Sequence, residues 1–394
     1  MLICHSYAFF FKHKIAPEVG LGTGHSIGED MNITNQLHLL GQCIWLDNIS
    51  RALLTNGGLS RYIQDLTVTG LTSNPSIFDK AIGNSDSYDK AIAQQAKNGK
   101  SGEELFFELA LEDLTAAADL LRPIYDQTEG TDGCVSLEVS PLLASDAAGT
   151  LKSAKALYAQ AQRPNLLIKI PGTPEGLLAI EEAIFAGVNI NVTLLFSCEQ
   201  YLAAACAYMR GIERRIEAGL DPRIRSVASI FVSRWDVAVK NKVPKRLRNR
   251  LGIAICHTCY RAYCELLLSP RWRKLAAAGA LPQTLLWAST GTKDPDAPDT
   301  LYIGALAVAD TINTVPEKTL LAIAKHDPLK LSWSEDDHSV DKTLIQFRSA
   351  GIELEALALQ LQIEGAASFV SDWHQLLGRI AEKSHRTAVP LLAS

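Results

Sequence analysis

Lys169 is the residue whose position in this sequence points most directly to chemistry. It lies in the apolar run LLIKIP at residues 166–171, which has the composition of a buried strand. Desolvating an ammonium group is costly, so a lysine here pairs with an acid, extends its charged end to solvent or becomes a neutral nucleophile. The last outcome is the chemistry of enzymes that join a lysine to a carbonyl substrate as an imine. Lys169 alone leaves these alternatives open.

Other polar side chains occupy or follow the neighbouring predicted strands. Carboxylates can move protons during carbon–carbon bond cleavage, and amides and hydroxyls can hold substrate hydroxyls or a water. An arginine or lysine beside a serine and a glycine turn can bind a phosphate. Any one of them can be a satisfied core group, but a core packed only for stability would not contain so many, so together they predict a catalytic site. The candidates are Asp47, Asn74, Glu138, Lys169, Asn191, Thr193, Ser229, Arg234, Ser289 and Lys293.

Eight short apolar runs alternate with segments of helical pattern and would position these residues. Near-continuous apolar strands separated by helices are typical of a parallel sheet covered on both faces. Eight such units predict an α/β fold, a closed (β/α)8 TIM barrel, whose active site lies at the carboxyl ends of the strands. The predicted strands are residues 43–48, 68–74, 135–140, 166–170, 188–196, 226–232, 284–289 and 311–315.

Helix signals agree with this alternation. Thr173 and Pro174 form an N-cap and first-turn pair, and Gly187 suits the end of the same helix. Residues 101–121 have the spacing of a long helix in the outer ring. Beyond residue 317 no strand pattern remains, and helices at 344–361 and 366–380 predict a C-terminal helical extension on the barrel.

The bulk composition is that of a globular protein with a large core. The 394 residues are 47% hydrophobic and 21% charged, and the net charge of −5 argues against a general nucleic-acid binder. The basic stretch at residues 240–250 is interrupted by Pro244, so we interpret it as a solvated connector. No apolar stretch reaches the length of a membrane span.

Eight cysteines with irregular spacing do not form a disulfide framework, and they suit a reducing cytoplasm. Cys256, His257, Cys259 and Cys264 resemble metal ligands, but residues 252–268 have the pattern of an amphipathic helix. We therefore interpret them as thiols of a packed helix and expect no metal. A dinucleotide fingerprint and a Walker-type loop are absent, so no cofactor is expected.

The N-terminal thirty residues differ from the rest of the chain. The run ending at Phe11 is apolar, but its charges, Lys12 and Lys14, follow it, which does not match a secretory signal. Met31 is a plausible alternative start. We expect residues 1–30 to be a leader outside the fold and residues 31–394 to form a single barrel domain, with C-terminal helices from about residue 317.

Six segments of the sequence resemble the transaldolase family, in its longer bacterial branch. They are WLDN at 45–48, TSNPSIF at 72–78, SLEVSP at 136–141, LIKIP at 167–171, NVTLLFS at 191–197 and WASTGTK at 287–293. The likeness covers roughly residues 40–385. It implies a class I mechanism, with an imine on Lys169 and a dihydroxyacetone unit moved from a ketose phosphate (sedoheptulose 7-phosphate or fructose 6-phosphate) to an aldose phosphate in the pentose phosphate pathway.

The resemblance also implies roles for the other proton-transfer residues. Asp47 matches the acid/base that takes the proton from the C4 hydroxyl during cleavage. Glu138, acting through a water held by Thr193, matches the acid/base of carbinolamine dehydration.

Substrate-binding roles follow in the same way. Asn74 and Ser229 match residues that hold the dihydroxyacetone hydroxyls, Asn191 lies near the imine, and Arg234 matches the phosphate-binding arginine. The family has a second phosphate-binding arginine after the position of Ser289. Here Lys293 stands near that place, which makes it a looser match.

Two other functions compete with the transfer reaction. An aldolase-type lyase acting on fructose 6-phosphate would use the same lysine, but aldolases of this superfamily are shorter and lack the C-terminal extension. A catalytically silent barrel that serves as an interaction protein is the third possibility, and the intact Asp47, Glu138, Lys169 and Thr193 argue against it. Expected partners are small sugar phosphates, not nucleic acid or membrane, and the chain is expected to be a monomer or homodimer.

Overall fold

A computed structural model describes residues 32–324, 333 and 337–388. Its centre is a closed barrel of eight parallel strands that are hydrogen-bonded in chain order, with β1 pairing β8. Because both faces of every strand are covered, nearly all residues of the strands are buried, polar ones included. The strands are β1 Gln42–Asp47, β2 Val68–Thr72, β3 Val135–Glu138, β4 Leu166–Pro171, β5 Ile190–Leu195, β6 Ser226–Phe231, β7 Gln283–Ala288 and β8 Thr311–Val315.

Helices follow the strands and form the outer layer of the barrel. Those of the first half are α1 Ile33–Leu40, α2 Arg51–Thr55, α3 Gly58–Asp65, α4 Pro75–Gly83, α5 Asp89–Lys97, α6 Gly102–Gln127, α7 Ala147–Ala161 and α8 Pro174–Phe185. Those of the second half are α9 Cys198–Glu217, α10 Ser233–Val239, α11 Leu251–Leu268, α12 Pro270–Ala277, α13 Leu301–Ala305, α14 Glu317–Ile323, α15 Asp337–Ser349 and α16 Leu354–Ala388. Short 3-10 turns lie at Asp86–Tyr88, Pro141–Leu143 and Lys245–Leu247.

The predicted (β/α)8 barrel is confirmed, with all eight strands close to their expected bounds. Four strands, β2, β3, β5 and β6, are shorter than predicted. In β2 and β3 the last predicted residues lead into the next element. Asn74 is the N-cap of α4, and its side chain accepts the backbone N–H of Ile77 at 3.0 Å. Ser140 leads into the 3-10 turn at Pro141.

The predicted helix signals after β4 are also confirmed. The Thr173 hydroxyl accepts the backbone N–H of Gly176 at 3.1 Å, Pro174 is the first helical residue, and Gly187 has φ 89° just past the end of α8. The long outer helix α6 extends beyond the predicted residues 101–121 and continues through Pro123 to Gln127.

The C-terminal helices divide at a different place from the predicted one. The break lies after Ser349, where Gly351 has φ 84°, and α16 then runs as one helix of 35 residues. The expected pair at 344–361 and 366–380 was therefore wrong, because apolar spacing continues on both sides of the break and does not locate it. Along α16, Trp373, Leu376 and Ile380 are buried, and the helix packs on α4, α5 and α6.

The cysteine-rich segment is the packed helix α11. Cys256 and Cys259 are buried, and His257 stacks on Trp333 with ring centroids 3.7 Å apart. Within the described ranges, no three His, Cys, Asp or Glu side chains group as metal ligands would. Nor is any helix there long and apolar enough to cross a membrane. The basic stretch 240–250 connects α10 to α11, and the predicted leader at residues 1–30 lies outside the described residues.

Candidate active site

The carboxyl ends of the strands bring most of the predicted site residues together. In the strand register Glu138 of β3 lies beside Lys169 of β4, and Lys169 lies beside Asn191 of β5. Residues that are paired across adjacent parallel strands point to the same face, which here is the barrel interior. Asp47 ends β1 and is paired in register with Thr72.

Lys169 does not extend its charged end to solvent. The residue is only 6% exposed, and its Nζ donates to the carbonyl oxygen of Ser73 at 3.2 Å. The same Nζ lies 3.4 Å from Oε2 of Glu138, which is equally buried, and 5.7 Å from the ring centroid of Phe369. The pairing compensates the buried charge and gives the amine a base within reach.

The two candidate acid/base carboxyls are both shifted toward protonation. Burial raises the pKa of Glu138, and the positive charge of Lys169 opposes this shift only partly. Burial also raises the pKa of Asp47, against the charge of Lys169 and a hydrogen bond of 2.7 Å that Thr72 donates to its Oδ1. Carboxyls of this kind suit proton transfer near neutral pH better than exposed ones.

A short hydrogen-bonded chain fixes the amide of Asn191 beneath the lysine. Its Nδ2 donates to the Ser136 hydroxyl at 3.0 Å, and its Oδ1 accepts the Ser229 hydroxyl at 2.7 Å. All three side chains are buried. Because the Ser229 hydroxyl donates its proton to Asn191, its oxygen can still accept a hydrogen bond from another group.

Strand β5 is irregular at Thr193. The register with β6 shifts between Val192 and Leu195, and Leu194 has φ 58°, a left-handed conformation that is costly for a leucine. Such strain collects at functional sites. The Thr193 hydroxyl is fully buried and has no hydrogen-bond partner, and Oε2 of Glu138 has none besides its ion pair. Buried polar atoms without a protein partner can each accept or donate a hydrogen bond to a bound water or substrate.

Arg234 reaches the same end of the barrel from α10. Its guanidinium carbon lies 5.2 Å from the ring centroid of Phe231 and 5.7 Å from that of Phe369. Burial lowers its pKa, opposed by the charges of Asp372, Glu138 and others, and a guanidinium stays protonated in proteins regardless.

The remaining predicted residues lie around the rim. Ser289 follows β7 with φ 56°, and its hydroxyl is 2.9 Å from that of Ser233. Asn74 uses its side-chain oxygen to cap α4. Lys293 is exposed, and its charge opposes the rise in the pKa of Asp47 that burial causes, so it acts on the site electrostatically from the outside.

Two residues of the C-terminal helix were not predicted. Gln362 of α16 is buried, and its Nε2 donates to the carbonyls of Gly172 and Leu194, both at 3.0 Å. Phe369 lies over both Lys169 and Arg234. A glutamine among buried helix positions is the only sequence signal for this contact, since nothing local shows which strands the helix will cover.

The chain is similar to known proteins over most of its length. The family model described as Transaldolase/Fructose-6-phosphate aldolase matches residues 44–380. A transaldolase of Thermobifida fusca is 43% identical over 88% of this chain and 97% of its own length. A transaldolase of Thiobacillus denitrificans is 42% identical over 89% of this chain and 100% of its own length. This protein therefore belongs to the transaldolase/fructose-6-phosphate aldolase family of (β/α)8 barrels.

Proposed function

We propose that this enzyme transfers a dihydroxyacetone unit from a ketose phosphate, sedoheptulose 7-phosphate or fructose 6-phosphate, to an aldose phosphate through an imine on Lys169. The observation that carries the assignment of the lysine is the buried Lys169–Glu138 pair at the carboxyl ends of the strands. The transaldolase relatives, which this chain matches over nearly their full length, support transfer over simple aldol cleavage.

Imine formation needs a base, an acid and a defined water. The Lys169 amine attacks the ketose carbonyl after giving up a proton, for which Glu138 at 3.4 Å is the available acceptor. Loss of hydroxide from the carbinolamine as water then needs a proton donor, and a carboxyl with a raised pKa can supply one. The buried Thr193 hydroxyl and Oε2 of Glu138, neither with a hydrogen-bond partner among the described residues, suit a single bridging water.

Asp47 is the proposed acid/base of the bond-breaking step. It takes the proton of the C4 hydroxyl, the C3–C4 bond breaks, and the electron pair passes into the imine to leave an enamine on Lys169. The released aldose phosphate is replaced by an acceptor aldehyde, and the reverse sequence forms the new bond. The raised pKa of Asp47 makes its carboxylate a stronger base than an exposed aspartate.

The amide and hydroxyl groups around the lysine fix the three-carbon unit. Asn191 is held by two hydrogen bonds and would lie near the imine, while the Ser229 oxygen can accept from a substrate hydroxyl. The side-chain oxygen of Asn74 caps α4, so its amide nitrogen is the group that remains to donate to the substrate.

Phosphate recognition falls to the rim. The Arg234 guanidinium, which lies over the rings of Phe231 and Phe369, presents a planar fork to an oxyanion. Ser289 and Lys293 would add a hydroxyl and a second positive charge from the loop after β7.

We further propose that the enzyme is located in the cytoplasm and is a monomer or a homodimer.

Borohydride trapping tests the mechanism. Reduction in the presence of fructose 6-phosphate should attach a three-carbon adduct to Lys169, located by peptide mass spectrometry, and Lys169→Ala should lower kcat/KM by at least about 10⁴-fold. Adduct at another lysine in active enzyme would overturn the proposal. Release of free dihydroxyacetone at the full rate without an acceptor aldehyde would make the enzyme a lyase, and the absence of any adduct or turnover would leave a silent barrel.

A further inference from the structure

A cavity of about 600 Å³ lies at the amino ends of the strands, at the opposite end of the barrel from Lys169. Its lining includes the first residues of several strands, among them Cys43 of β1, Thr69 of β2 and Thr311 of β8. This volume is in the range of small-molecule sites. No step of the proposed reaction uses this end of the barrel.

One wall of the cavity is apolar. It includes Leu267 of α11, Trp272 of α12 and Ile312 of β8, and Trp272 is almost completely buried. Ligand sites are typically lined by aliphatic and aromatic side chains with few polar groups among them. A wall of this kind fits the hydrocarbon or aromatic body of a ligand.

Arg225, which also lines the cavity, carries a buried charge without a carboxylate partner. It is only 2% exposed, and within the described part of the chain no carboxylate lies within ion-pair distance of it. Its Nη1 donates to the carbonyl of Pro282 at 3.1 Å and to the Thr284 hydroxyl at 2.9 Å, while its Nε is buried with no hydrogen-bond partner. A buried guanidinium is costly unless an anion compensates it.

The two carboxyls that line the cavity do not supply that compensation. Asp132 accepts the indole N–H of Trp45 at 2.8 Å, which turns one of its oxygens toward the barrel wall. Burial raises the pKa of Asp310, and no ion pair joins its carboxyl to Arg225 in the described part of the chain.

We propose that this cavity is a second ligand site, which binds a small molecule made of one anionic group and an apolar body. The anionic group, a carboxylate, sulfonate or phosphate, pairs with the guanidinium of Arg225, and the body packs against Leu267, Trp272 and Ile312. The site is independent of the proposed transfer reaction, because none of its residues belongs to the catalytic end.

Two fluorescent probes that differ by one charge test the proposal on the full chain. Anilinonaphthalene sulfonate carries an anionic group on an apolar body, and N-phenylnaphthylamine is its uncharged counterpart. We expect one sulfonate probe to bind per chain, about tenfold tighter than the uncharged probe. Arg225→Gln should weaken the sulfonate about tenfold and change the uncharged probe less than about twofold.

A pair of tryptophan variants locates the binding. Ala276 lines the rim of the cavity on the exposed side of α12, so Ala276→Trp should abolish binding of both probes without disturbing the core. Ala277→Trp, on the neighbouring exposed position that does not line the cavity, is the matched control and should bind as the unchanged protein does. These two variants keep the test valid if Arg225→Gln does not fold.

Three results would overturn the proposal. Equal affinity for the two probes would show an apolar cavity with no preference for an anion. Retained binding in Ala276→Trp would place the probe elsewhere. Binding that appears only after residues 1–31 are removed would mean that the N-terminal segment of this chain is the natural occupant.

Discussion

The two ends of the barrel both contain buried polar side chains, but they use them differently. At the amino end these groups bond mainly to backbone carbonyls: Asn165, just before β4, donates to the carbonyls of Ala118 and Gly133, both at 2.8 Å. At the carboxyl end some also bond to backbone carbonyls, as Lys169 does to that of Ser73, but others bond to one another, as Asn191 does with the hydroxyls of Ser136 and Ser229. Both asparagines are fully buried and each has two partners through well-formed bonds.

We interpret this difference as a division between groups that stabilise the fold and groups of the proposed catalytic site. A side chain that satisfies backbone carbonyls fixes the position of a loop, and its loss leaves groups that cannot find other partners. Hydroxyls can rotate to new partners, so the polar chain at the carboxyl end can adapt to a substrate. The difference agrees with the general division of such barrels into a catalytic face and a stabilising face.

The largest effect on this comparison is expected at the two proposed acid/base carboxyls, Glu138 and Asp47. Glu138→Gln should slow imine formation by about 10²–10⁴-fold, because the amine loses its proton acceptor. Asp47→Asn should still form the borohydride-trapped adduct but release aldose phosphate more slowly by a similar factor. Rapid-quench trapping and product release, measured on the same samples, separate the two steps. Equal defects in both steps for both variants would contradict the assignment.

The next largest effect is expected on phosphate binding, for which the half-buried Arg234 can be compared with the exposed Lys293. Arg234→Ala should raise the KM for fructose 6-phosphate about 100-fold, because a stacked guanidinium loses charge-assisted bonds in a partly desolvated site. Lys293→Ala should raise it about threefold, since water screens an exposed charge. Steady-state kinetics with dihydroxyacetone as donor is the control, and neither variant should alter it. An equal penalty with and without phosphate would place the phosphate elsewhere.

The matched asparagines test the comparison itself. Asn165→Ala should lower the free energy of unfolding by about 2–4 kcal/mol, because two buried carbonyls lose their donor, with kcat/KM unchanged. Asn191→Ala should cost about 1 kcal/mol or less and lower kcat/KM roughly tenfold to 100-fold. Urea unfolding and steady-state kinetics measure both. If Asn191→Ala is the less stable and Asn165→Ala the less active, the division between the two ends is wrong.

The smallest effect is a pH dependence of stability that originates at the catalytic end. Burial raises the pKa of Asp47 above 3.8 and that of Glu138 above 4.5, so the folded state binds protons more tightly than the unfolded chain. The free energy of unfolding therefore falls as pH rises from about 4 through the folded pKa values. The fall is about 1.4 kcal/mol for each tenfold difference in proton affinity between the folded and unfolded states.

The double variant Asp47→Asn/Glu138→Gln removes these two titrations. Its Tm should fall less between about pH 4 and pH 7 than the Tm of the unchanged protein, because other groups alone then titrate. A variant with the same pH slope as the unchanged protein would show that the two carboxyls titrate normally in the folded state.

The sequence by itself determined the barrel and much of its catalytic end. Apolar runs of strand length, separated by helical patterns, specify eight parallel strands, because the burial and the length of each strand are both encoded in its own residues. A polar residue at the carboxyl end of such a strand, such as Glu138 or Lys169, is then directed toward the site by strand geometry alone. Helix caps such as Thr173 are equally local, and they too were predicted.

Only the tertiary structure decided which groups share a contact. Three features depend on segments that are distant in sequence. They are the ion pair of Lys169 with Glu138, the bonds from Gln362 to the backbone around Leu194, and the burial of Arg225 without a carboxylate partner in the described part of the chain. The break near Gly351 was also missed, since apolar periodicity runs through it. Such features arise from barrel closure and from the packing of α16 over the strand ends, and no local pattern of residues encodes a contact between distant segments.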